Sequence, residues 1–258
     1  MTLAASLLPK GITELFLWPA MAGEDKWYAF NKTALMAFVS TIICCVIFIW
    51  GSRRKALVPT GMQNIAEAGY DAIEQNISLE VIGAHDGKKW TPFLASLFFW
   101  IFFINIWSVI PFVQFPATSR FAIPLFLSLL TWAIFIVVGF IHQGPLYIIK
   151  AIFPPGVPWP LYILVAPIEF ISKFIVRPFS LAVRLFANMV AGHVLLTVFA
   201  LMCVALFEEG VGMKFLTVLP FFGLVFMTLF EVLVALLQAY IFTILTAVYV
   251  GESLSEEH

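Results

Sequence analysis

Read only for apolar and polar positions, the chain divides into long hydrophobic runs with short polar breaks. Runs at about 34–50, 91–113 and 121–141 carry no charged residue across most of their length. Each is close to the roughly 20 residues that a helix needs to cross about 30 Å of hydrocarbon. Two later runs, 162–207 and 215–250, are much longer. At a rise of about 1.5 Å per residue they would extend nearly 70 Å and roughly 54 Å, so each must tilt strongly, bend or split. All the runs are continuously apolar rather than alternating. Backbone groups in lipid must be satisfied within the segment or by barrel closure, so this pattern selects helices. The expected fold is an all-α membrane protein with about five spans. Its last two helices would form a long tilted antiparallel hairpin turning at "EEGVGMK", 208–214.

Between the first two spans lies a polar stretch, 61–83. In it Ile65, Gly69, Ile73 and Ile77 recur every fourth residue, while Glu67, Asp71 and Glu74 fall elsewhere. That spacing predicts an amphipathic surface helix. Its acidic charge disfavours anionic lipid, so its apolar face is expected to meet protein. The loop "FPPGVPWP", 153–160, breaks any helix, because proline removes donors and clashes with preceding carbonyls. The basic cluster Arg53, Arg54 and Lys55, with Lys88 and Lys89, marks the cytoplasmic side by the positive-inside rule. Five spans then put the N-terminal region, 1–33, outside and the tail "GESLSEEH" inside.

Composition narrows the class further. The 258 residues are 62% hydrophobic and 11% charged, against roughly 25% charged in soluble chains. This excludes an ordinary soluble domain and leaves one integral membrane domain. A net charge of −1 and the lack of a Gly-rich phosphate loop give no sign of nucleic acid or nucleotide. Cys44, Cys45 and Cys203 sit in apolar spans and read as small hydrophobes rather than a disulfide framework. No metal and no cofactor are expected. The opening "MTLAASLLPKGITELFLW" lacks the pattern of a cleaved signal peptide.

The candidate chemistry consists of polar residues lying where lipid should be. Translocon scales put Arg, Lys or Asp at a helix centre about 2.5 to 3.5 kcal/mol uphill. Glu169, Lys173, Arg177, Arg184 and Glu231 all fall within the last two runs. Lys173 and Arg177 begin their segment and could reach headgroups by snorkelling. Arg184 and Glu231 lie too deep for that. In the hairpin, residues whose numbers sum to about 422–424 share a depth, which sets Arg184 opposite Gln238 and His193 opposite Glu231. The two levels are roughly 13 Å apart. Ser180, Arg184 and Asn188 share one helix face, and Glu231 and Gln238 share another. Two polar stripes suggest a hydrated path. His193 with a carboxylate can accept and pass protons near neutral pH. Arg184 cannot, because it stays protonated, and so serves as a fixed charge that attracts a carboxylate from another subunit.

"RPFSLAVRLFANMVAGH" (177–193) followed by "EVLVALLQAYIFTILTAVYV" (231–250) resembles subunit a of F-type ATP synthases. The resemblance extends through "FINIWSVIPF" (103–112) to the surface helix. It implies that Arg184 is the essential arginine facing a ring of c subunits, whose carboxylates it meets as the ring turns. It implies also that Asn188, His193, Glu231 and Gln238 line aqueous half-channels, with Asn105 in the outer one. An inner half-channel would open near Ser180 and Arg177. The other partners implied are peripheral-stalk b subunits, protons and the bilayer. Several departures bear on this transfer. His193 and Glu231 exchange the residue types found in many bacterial members, which leaves one titratable pair at that depth. Ser108 stands where some members have Asp, and the Glu169–Pro178 spacing is one residue longer than in some. The implied function is a proton channel subunit, not itself an enzyme, in a bacterial plasma membrane or alternatively a mitochondrial inner membrane.

Two rivals remain at this point. A secondary transporter would bind its substrate between internal repeats, and no repeat joins the two halves. A structural membrane subunit with a buried polar pair would have no need of Arg184.

Overall fold

The computed structural model describes residues 32–53, 61–110, 117–153, 158–208 and 211–254. Residues 1–31, part of the basic cluster (Arg54 and Lys55), the centre of the 153–160 loop, the middle of the hairpin turn and the last four residues lie outside these. All regular structure among the described residues is helical. In chain order, α1 is Lys32–Arg53 and α2 is Met62–Ile73, the latter continuing as a wider π-turned stretch over Glu74–Ile82. Next come α3, Gly87–Ile106, α4, Ala122–Gln143, and the short α5, Tyr147–Ile152. Helix α6, Tyr162–Ile171, passes through a π-turn at Ser172–Val176 into α7, Arg177–Glu208. The short α8, Val211–Lys214, and a 3-10 turn, Phe215–Thr217, lead into α9, Val218–Leu254.

Among the described residues, five helical segments are long and apolar enough to cross a membrane: Lys32–Gly51, Gly87–Ile106, Ala122–Gln143, Trp159–Glu208 and Phe215–Leu254. The last two hold 50 and 40 residues and remain helical throughout, so neither splits. The second span differs most from its expected limits, because its helix stops at Ile106 rather than at Val113. There the backbone N–H of Ser108 returns to the Asn105 carbonyl at 3.1 Å, and the Ser108 hydroxyl donates to the same oxygen at 2.9 Å. A serine that captures an upstream carbonyl turns the chain out of the helix.

The chain forms two compact units. The first takes in the described residues up to Ile43, with Trp100–Arg120 and Phe186–Gln238. Here Trp107 and Trp100 donate their indole N–H groups to Ser40 at 2.8 Å and Thr41 at 2.9 Å, tying α3 to α1. The facing parts of α7 and α9 run antiparallel. Gly223 lies against the Phe199 ring and Gly192 against the Glu231 carboxylate, which fixes the register at residue sums of 422 and 423.

The second unit takes in Cys44–Phe99, Phe121–Leu185 and the described residues from Ala239. Its core is built on Ile73, Ile77, Leu94, Ala95 and Ala247, so the amphipathic helix covers its apolar face with α3 and α9 of its own chain. The fourfold stripe is only half correct. Ile73 and Ile77 are buried, but Ile65 is exposed and Ala66 takes the inward place. A repeat of four precesses around an α-helix of 3.6 residues per turn. That precession turns Ile73 away from Ile65 and toward the side of Ala66, where it is buried. Ala66 packs close beneath Gly51 of α1, and Gly69 beneath the Phe99 ring. Gly87 permits another close approach. A Cβ there would fall 2.5 Å from the Ser78 carbonyl oxygen.

Candidate functional site: buried polar groups and an exposed arginine

The first unit gathers the polar residues that the sequence placed deep in lipid. Asn105 and Ser108 are wholly buried, and Glu231, Gln238 and His193 nearly so. The Asn105 Oδ1 accepts from Thr118 at 2.7 Å, while its Nδ2 has no acceptor among the described residues. Ser108 lies beside the Glu231 carboxyl, yet its single hydroxyl hydrogen goes to the Asn105 carbonyl. Both Glu231 oxygens are therefore buried without a donor among the described residues. A buried polar group left unsatisfied costs about 1–3 kcal/mol, and more when charged. Such groups are the ones that internal water serves. One turn of α7 before Thr197, whose hydroxyl caps its carbonyl, stands His193. The ring is close enough to Lys32 to feel that ammonium's charge.

Gly192 explains how the two helices approach. A Cβ built there would fall 2.9 Å from Glu231 Oε1, so only a glycine leaves the carboxyl its position. Apolar patterning gave no notice of Lys32 or Thr118. Lys32 fell in the presumed outer region, and α1 begins two residues earlier than its apolar run. Thr118 follows the span it serves by a turn, and nothing in "ATSR" distinguishes it from an ordinary loop threonine.

The second unit holds Arg184. Along this stretch of α7, Leu181, Ala182, Leu185 and, one turn further into the first unit, Met189 are buried. Ser180 and Asn188 are half-buried and Arg184 is exposed, so the expected Ser180–Arg184–Asn188 stripe is the helix's open face. No carboxylate pairs with Arg184 among the described residues. Its charge is felt at Tyr249 of α9.

Nearby cations behave otherwise. Lys173 pairs with Glu169 at 3.2 Å and donates to the Ala151 carbonyl at 2.9 Å. Arg177 meets Glu252 at 2.5 Å and lies 4.7 Å from the centre of the Tyr249 ring. Each is held by acceptors of its own chain, Lys173 by Glu169 one turn earlier and by Ala151, and Arg177 by Glu252. A π-turn at Ser172–Val176 lies between Glu169 and Pro178, and a π-turn accommodates one extra residue.

Comparison with known proteins agrees with this architecture. The family model described as "ATP synthase A chain" matches residues 34–251. The chain belongs to that family. Relatives named ATP synthase subunit a include one from Parafrankia sp. (strain EAN1pec), 42% identical over 96% of this chain and 81% of its own length. One from Streptomyces lividans is 39% identical over 96% of this chain and 88% of its own. Another from Rhodococcus erythropolis is 38% identical over the full chain and 94% of its own length. The chain is thus an all-helical membrane component of the ATP synthase type.

Proposed function

We propose that this chain is the stator subunit that leads protons to and from a ring of c subunits, with Arg184 as the fixed charge between two aqueous half-channels. Its role is non-catalytic: it holds no nucleotide and makes no ATP, and the complex around it does. Protons enter from the outer face past Asn105, Glu231 and His193, and neutralise a ring carboxylate. Rotation carries that group through lipid. Asn188, Gln238 and Ser180 line the approaches to Arg184, where the carboxylate is favoured in its ionised form and releases its proton inward. A charge moving through 100 mV releases about 2.3 kcal/mol, so several must be counted for each ATP, as a ring does. Peripheral-stalk b subunits would hold the chain against the turning ring. The bacterial sources of the relatives support a plasma membrane, and the basic residues at 53–55 and 88–89 favour an outside N-terminus and a cytoplasmic C-terminus.

The observation that carries the reading is the state of Arg184. It is a permanent cation on the open face of α7, with buried apolar residues on the adjoining face and no acid of its own chain beside it among the described residues. A structural ion pair would require such an acid. The test is Arg184→Ala in the whole complex in membrane vesicles. Proton-driven ATP synthesis is expected to vanish while the complex still assembles; retained synthesis, or a complex that fails to assemble, would refute the proposal.

A further inference from the structure

Arg177 and Arg184 are seven residues apart on one unbroken helix. Seven steps of 100° fall about 20° short of two full turns, so both guanidiniums project from nearly the same stripe, roughly 10 Å apart along the axis. Both are permanently charged. A carboxylate drawn to that stripe would find two cations where the proposed mechanism needs one.

The structure treats the two differently. Arg177 Nη1 lies 2.5 Å from Glu252 Oε2, and its guanidinium lies over the Tyr249 ring. Tyr249 in turn packs on Phe135, with ring centres 6.0 Å apart. Glu252 does not hang from a loose tail. Its neighbour Ser253 is buried, its carbonyl accepts from Gln143 Nε2 at 3.1 Å, and its hydroxyl shares a hydrogen bond with Tyr147 at 3.0 Å. Those contacts fix the last turn of α9 and so the place of the Glu252 carboxylate. Arg184 has no comparable partner among the described residues.

We infer that Glu252 is a positioning residue that neutralises Arg177, so that a carboxylate brought by a partner meets Arg184 as the single open cation on this face. The inference rests on the reading of Arg184 proposed above. With Glu252 removed, Arg177 would become a second trap, and the carboxylate would dwell there instead of moving on.

The experiment compares Glu252→Gln, Arg177→Gln, their double substitution and Arg184→Ala in the intact complex, in inverted membrane vesicles. ATP-driven proton pumping is the readout, with stator and ring content measured on the same vesicles. Glutamine keeps an acceptor for the guanidinium and removes only the charge. Glu252→Gln is expected to slow pumping several-fold at unchanged assembly, and the double substitution to recover the rate of Arg177→Gln alone. A silent Glu252→Gln overturns the inference, as does a double substitution as slow as Glu252→Gln. An Arg177→Gln that is itself equally slow overturns it too, because Arg177 would then be needed as a free cation. If Arg184→Ala still pumps, the underlying reading falls; if it is dead while Glu252→Gln is silent, only this inference falls.

Discussion

The glycine against Glu231 allows folding and function to be separated by one methyl group. In Gly192→Ala the new Cβ would stand 2.9 Å from Oε1, 3.3 Å from Cδ and 3.5 Å from Cγ of Glu231. The first distance is shorter than van der Waals contact allows, so something must move. The atom in the way is the end of a flexible side chain, and displacing it into a poorer rotamer costs about 0.5–1.5 kcal/mol. Alanine in place of glycine in a helix interior returns about 0.8–1.0 kcal/mol of propensity. The two effects nearly cancel, so assembly and thermal stability should change little. The carboxyl, however, must leave the place where it faces Ser108. If it holds a proton in transit, the expected loss is about tenfold in proton flux, equivalent to about 1.4 kcal/mol. The assay is pumping by inverted vesicles normalised to assembled complex, beside the thermal midpoint of the detergent-extracted complex. Gly192→Ala combined with Glu231→Asp should recover part of the flux, because the shorter acid withdraws from the new methyl. Unchanged flux in Gly192→Ala would refute the reasoning. So would a fall in midpoint that accounts for the whole loss, since glycine would then be present for packing alone.

Two further outcomes follow from packing. Thr118→Val removes the donor to Asn105 Oδ1 in a wholly buried site; it should destabilise the complex by about 1–3 kcal/mol and lower proton flux, while Thr118→Ser keeps both near normal. Ile77→Ala hollows the contact between the amphipathic helix, α3 and α9, with an expected loss of about 2–5 kcal/mol seen as a lowered thermal midpoint, whereas Ile65→Ala, on the exposed side of the same helix, should leave it unchanged.

Much of the fold was legible because the membrane constrains it so strongly. Continuous apolar runs can only be helices, and the excess length of 162–207 and 215–250 already indicated elements unlike simple spans. The register of the hairpin could be read from its turn, and the contacts of Gly192 with Glu231 and of Gly223 with Phe199 fall at the expected sums. What the sequence hid was set by side chains acting at short range. Ser108 ends α3 early by capturing a carbonyl, a choice that apolar periodicity does not encode. Ile65 and Ile77 sit in the same fourfold pattern, yet one is exposed and the other buried, because a repeat of four drifts around a helix of 3.6 residues per turn. Glu252 gave no signal either. It lies in a polar tail that reads as solvent-facing, and its partner is 75 residues away.

The arrangement of charges also bears on the choice between a working cation and a structural one. Charged side chains on this part of the fold are paired with acids of their own chain twice within a short stretch. Lys173 has Glu169 one turn earlier on its own helix, and Arg177 has Glu252 from the far end of α9. Acids within reach are therefore available to this part of the fold. Arg184, only seven residues beyond Arg177, lies on a helix whose adjoining face is packed with Leu181, Ala182 and Leu185, and it receives none among the described residues. A guanidinium kept for packing or glue would be expected to share the solution used beside it. One left open on an exposed stripe suits the proposed role of meeting a carboxylate supplied from outside the chain.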